Sequence, residues 1–169
     1  MSSGRRSPQG GAETSASRLT RRGILLIAAP WLFAATGAIA FTFADGTTAE
    51  CVAAGRVVPE SNAPPGHWIV QKGRIAITGQ AGSGYQIIWN AQQLAKLPPE
   101  MHDFIFFHEC AHARVPTQDE VKANCQGLKD MRAAGRAGFA VEAKLAAIYG
   151  PGSTYWEETR KCADGKPAP

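Results

Sequence analysis

The chain has 169 residues, 44% of them hydrophobic and 19% charged, which suits one modest domain plus a leader. Its net charge of +4 lies wholly ahead of Gly23, where Arg5, Arg6, Arg18, Arg21 and Arg22 stand against Glu13 alone. The rest is neutral and shows no basic patch, which excludes the usual electrostatic footprint of a nucleic-acid binder.

Residues 1–22 are rich in Ser, Gly and Arg and read as a disordered basic tail. Residues 23–44 carry no charge and are long enough to span a bilayer, so they read as a signal peptide or a transmembrane anchor. Ala38-Ile39-Ala40 has the small-x-small form of a cleavage site. Thr20-Arg21-Arg22-Gly23-Ile24-Leu25 resembles a twin-arginine export signal, with Ile24 where Phe is usual. Two ordinary arginines beside a membrane segment account for the same letters, and both readings stand. Either way the arginines stay in the cytoplasm. The C-terminal part is expected in a bacterial periplasm, or on the outer face of an inner membrane to which 23–44, if uncleaved, anchors it.

Cys51, Cys110, Cys125 and Cys162 all lie beyond that segment, and an even number there suggests two disulfides in an oxidising compartment. If the helix bearing Cys110 packs antiparallel on the one bearing Cys125, these two positions reach similar height. The expected pairs are therefore Cys110–Cys125 and Cys51–Cys162.

Residues 45–66 are an unpatterned mix of Gly, Ala, Thr and Pro and read as a linker. Residues 67–71 and 74–78 are strand-like, with Lys72-Gly73 as the turn, and Tyr85 to Asn90 is a third strand. A small antiparallel sheet is expected from them. His67 reads as a cap or packing residue and His102 as exposed. Asn90 caps a short helix that ends at Pro98, and helices follow at Thr117 to Gly135, Gly138 to Tyr149 and Thr154 to Cys162. The fold class is α+β.

The stretch from Pro99 to His112 is the chemical centre of the chain. Pro99 suits a first helical turn, Glu100 and Asp103 complement the dipole, and Phe104-Ile105-Phe106-Phe107 is apolar all round, as in a buried helix. The stretch ends His108-Glu109-Cys110-Ala111-His112, an H-E-x-x-H pattern. On a helix His108 and His112 project from one face a turn apart, so both imidazoles can reach one metal. Glu109 lies about 100° round, where a carboxylate can take a proton from a metal-bound water.

Downstream, Glu120-Val121-Lys122-Ala123-Asn124 forms an E-x-x-A-N string. With H-E-x-x-H before it, the stretch from about Asn90 to Met131 resembles the gluzincin metallopeptidases, the HtpX-type and IrrE-type proteases among them. The resemblance implies a zincin-like domain over 67–169 with a Zn2+ ion held by His108, His112 and Glu120. It makes Glu109 the general base and Asn124 the group that orients a ligand histidine. The implied activity is a zinc-dependent endopeptidase whose protein or peptide substrate pairs with the strand at Tyr85 to Asn90. The connection from Ala113 to Asp119 is shorter than in many relatives. Tyr149 and Tyr155 are the candidates for stabilising an oxyanion. Alternatives stay open, among them a disulfide-stapled structural domain with no metal. Thr117-x-x-Glu120 is also a capping box, in which Glu120 never touches metal. A zincin-fold binding or assembly protein of the envelope, without turnover, fits the same letters.

Overall fold

The computed structural model describes residues 39–166. The basic tail and residues 23–38 of the expected signal or anchor segment lie outside the described residues. The last part of that segment, 41–44, opens the folded domain instead, with Phe41 and Phe43 buried. Among the described residues no helix is long and apolar enough to cross a membrane.

Strands β1 (Phe41–Thr42) and β2 (Thr48–Ala49) form an antiparallel ribbon, and β3 (Val52–Ala53) and β4 (Arg56–Val57) form a second. Ala54 and Gly55 turn the second ribbon, both at positive φ, which matches the twist of a two-residue hairpin. Strands β5 (Glu60–Asn62), β6 (Ala76–Ala81) and β7 (Gly84–Trp89) make one sheet in the order β5-β7-β6. The stretch expected as a linker at 45–66 is thus built into the fold. Glu60 fastens it: the buried carboxylate accepts from Trp89 Nε1 at 2.8 Å and from the Cys51 amide at 3.3 Å. Burial raises the Glu60 pKa against the pull of those two donors.

Three sequence expectations about the sheet need correction. Residues 67–71 are not a strand but helix α1 (Trp68–Gln71), with His67 as its N-cap. Five residues are too few for a period to separate strand from a single helical turn. The sheet is mixed, since β5 runs parallel to β7 while β6 is antiparallel to it. Strand β7, expected to receive a peptide, is central; the sheet edge on the helical side is β6.

Five further helices follow: α2 (Ala91–Leu94), α3 (Pro99–Arg114), α4 (Glu120–Ala133), α5 (Phe139–Tyr149) and α6 (Thr154–Ala163). Small sheets plus six helices give a mixed chain of α and β structure among the described residues. Helix α3 runs through its middle. Phe104, Phe106 and Phe107 are buried on different sides of it, against Trp156, Phe41 and Phe43 respectively. Asp103 is drawn in as well, accepting from the Ala44 amide at 2.8 Å and pairing with Arg136 at 3.2 Å. His102 is half-buried rather than exposed, its ring tilted against Phe41 with centroids 5.0 Å apart.

Helix α4 lies against α3 at a glycine. A Cβ on Gly127 would fall 2.9 Å from the His108 amide nitrogen and 3.0 Å from the Phe107 carbonyl carbon, so only Gly allows this approach. The same contact explains why the expected cysteine pairs do not form. The bonds are Cys51–Cys110 and Cys125–Cys162. The facing residues of α3 and α4 are His108, Asn124 and Gly127. Cys110 sits about 200° round α3 from His108, and Cys125 about 100° round α4 from Asn124. Both sulfurs therefore leave the α3–α4 contact, one towards β3 and the other towards α6.

Candidate metal centre

The H-E-x-x-H spacing places His108 and His112 one turn apart on α3, with their Nε2 atoms 3.2 Å from each other. Helix α4 brings Glu120 across from them. Its Oε2 lies 3.1 Å from His108 Nε2 and 3.7 Å from His112 Nε2. One ligand atom from each of the three residues falls within 4.8 Å of the others.

Each imidazole is fixed from behind by an oxygen. His108 Nδ1 lies 2.6 Å from Asn124 Oδ1, and His112 Nδ1 lies 2.7 Å from the Thr117 carbonyl. A carbonyl oxygen only accepts, so each Nδ1 carries the ring proton. In the neutral rings both Nε2 atoms then present lone pairs, to one another and to a carboxylate. Such a cluster of donors is stable only around a cation, either a proton or a metal. Two imidazoles and one carboxylate so arranged suit zinc.

Without metal the proton takes that place. Burial would lower the His108 pKa, but the hydrogen bonds its ring donates to Glu120 and Asn124 and the charges of Glu109 and Glu120 leave it raised. The hydrogen bond with His108 holds the Glu120 carboxyl below its ordinary range, against its partial burial.

Glu120 does not form the alternative capping box. The N-cap of α4 is Asp119, whose Oδ1 accepts from the Val121 and Lys122 amides at 3.0 and 3.1 Å. Thr117 Oγ1 accepts from the Asp119 amide instead, and Glu120 is the first residue of the helix, its side chain 60% exposed and turned to the histidines.

Glu109 is buried on the neighbouring face of α3. Thr78 of β6 donates to it, with Oγ1 at 2.7 Å from Glu109 Oε2 and 2.9 Å from the Glu109 carbonyl oxygen. A cavity of about 500 Å3 opens over this group, walled by the three metal-facing residues and Glu109 on one side and by residues 73–78 on the other. Tyr149 and Tyr155, the expected oxyanion donors, do not line it. They lie beside Asn124, 5.8 Å apart between ring centroids. Burial and then the charge of Glu120 push the Tyr155 phenol up to about 12, and burial and the Tyr155 charge raise Tyr149 further.

The structure thus brings together His108, Glu109, His112, Glu120 and Asn124, and leaves the tyrosines aside. Thr78 and the Thr117 carbonyl were not anticipated. A main-chain acceptor leaves no mark on a sequence, and no spacing relates residue 78 to residue 109. Compared with known protein families, curated proteins and solved structures, the chain matches none.

Proposed function

We propose that the chain is a zinc-dependent peptidase of the gluzincin type, acting outside the cytoplasm. The observation that carries this reading is the convergence of two Nε2 lone pairs and one carboxylate within 4.8 Å, beside a buried glutamate and an open cavity. His108, His112 and Glu120 would hold the ion. Bound zinc supplies a Lewis acid that polarises a carbonyl and acidifies a water. Asn124 and Thr117 keep both imidazoles in the tautomer that binds. Glu109 takes a proton from the attacking water and gives it to the departing amine. Strand β6 offers the cavity side of the sheet an edge to which an extended peptide can add. The two disulfides support an oxidising compartment such as the periplasm.

A second reading has one observation in its favour. Neither tyrosine lines the cavity, which suits an envelope binding or assembly protein that holds metal without turnover. Metal analysis of the purified chain, with digestion of an unbiased peptide library, separates the two. The peptidase reading expects zinc near one per chain and cleavage that Glu109→Gln abolishes while zinc is retained. Cleavage undiminished in that variant rejects the mechanism; zinc without cleavage in the unaltered chain favours the binding protein.

A further inference from the structure

We propose that Thr78 is a positioning residue for Glu109: its hydroxyl aims the carboxylate, so that one oxygen is held and the other faces the cavity. The inference rests on the reading of Glu109 as the general base and adds to it a residue from the opposite wall. Glu109 stands on a helix, and a helical side chain of this length turns about three single bonds. Nothing on α3 itself fixes it. The neighbouring His108 and His112 are each held through their own Nδ1 by another group, and the base needs an equivalent hold to act at a defined distance.

Thr78 provides it. The residue faces Ile87 across the sheet, and because Ile87 is fully buried this face of the sheet looks inward. The Thr78 hydroxyl meets Oε2 at 2.7 Å and the main-chain oxygen of the same residue at 2.9 Å. A hydroxyl bridging the carboxylate and the backbone of one residue fixes the carboxylate against its own helix. Its one proton is shared between Oε2 and the main-chain oxygen, both of which only accept, and Oε1 keeps both lone pairs for the proton that moves in the reaction. Being β-branched, Thr78 has a restricted χ1, so its hydroxyl is itself well placed. The strand to which a peptide would add is therefore also the strand that sets the base.

The test uses the full chain loaded with zinc, in the variants Thr78→Val and Thr78→Ser. Val keeps the shape and removes the hydroxyl; Ser keeps the hydroxyl. Crystal structures of both, zinc analysis, and kcat and KM on an internally quenched peptide taken from the library digest are measured together. Expected is a Val variant that holds zinc as the parent does, shows Glu109 turned from its place, and loses about 100-fold in kcat with KM changed by less than about twofold. The Ser variant should restore both the Glu109 position and most of kcat. The proposal is overturned if Glu109 keeps its place in the Val variant, if that variant loses its zinc, or if Ser behaves as Val does. Should the parent chain bind zinc and cleave nothing, the peptidase reading falls, while the position of Glu109 in the two structures still decides the role of Thr78.

Discussion

The two walls of the cavity are built on different principles. The helical wall, α3 with α4, carries the donor atoms, and its imidazoles are locked by a partner on another segment: Asn124 behind His108, the Thr117 carbonyl behind His112. The strand wall, β6, contributes one hydroxyl and a sheet edge. The metal-facing donor atoms are concentrated on one side and the open sheet edge on the other. A site that must hold an ion firmly and accept a variable chain gains from that division, because the ion's geometry then does not depend on what lies along the strand.

The sharpest way to break the comparison is to remove the helical wall's carboxylate. Glu120→Gln should leave the chain folded, since an exposed pair adds under about 1 kcal/mol, yet lose most of its zinc and all cleavage. Full zinc occupancy in that variant, by elemental analysis, would take Glu120 out of the site. Next in size is the lock behind His108. Asn124→Ala removes the acceptor for Nδ1–H and should weaken zinc binding by about 10- to 100-fold, read by chelator competition, with Asn124→Asp weakening it less.

Glycines compare the walls directly. Gly127→Ala forces a Cβ against the α3 backbone and should cost about 1–3 kcal/mol in urea unfolding, with weaker zinc binding as α4 is pushed away. Gly79→Ala, next to Thr78 on the strand, meets nothing within 4 Å and should change stability little. Equal losses in the two would mean that the walls are equally tight. The smallest expected effect is with pH. In the metal-free chain the His108 contribution is complete below its ordinary 6.5 and is lost as pH rises through its raised folded value. The Glu120 contribution is present above its ordinary 4.5 and is lost as pH falls through its lowered one. The pair thus steadies the metal-free fold between those values, and the rise in melting temperature on adding zinc should grow from about pH 6 to about pH 8. A rise that stays flat or shrinks would speak against proton and metal sharing one place.

The helical wall was legible in the sequence because its chemistry is periodic. A four-residue spacing on a long buried helix sets two side chains on one face whatever surrounds it, and the same holds for Glu120 and Asn124 on α4. The strand wall was not, because its elements are short and defined by distant partners. Residues 67–71 fold as a turn of helix, the stretch 45–66 becomes strands through Glu60 and Trp89, and β6 rather than β7 is the edge by virtue of where β5 docks. The disulfide pairing failed for a related reason. It assumed that cysteines on packed helices face each other, whereas the contact is made by His108, Asn124 and Gly127.

That pairing decides what happens when the chain is cut. The two bonds close separate loops, 51 to 110 and 125 to 162, which neither overlap nor nest. A nick inside either loop leaves the pieces covalently joined. Residues 111–124 belong to neither loop and form the covalent bridge between them, and within that bridge the connection from Val115 to Asp119 is largely exposed. A single cleavage there, for instance after the exposed Arg114, would release two unlinked halves without any reductant, one carrying both histidines and Glu109 and the other Glu120 and Asn124. The connection beside the site is therefore also the place where one cut removes every covalent link between the two histidines and Glu120.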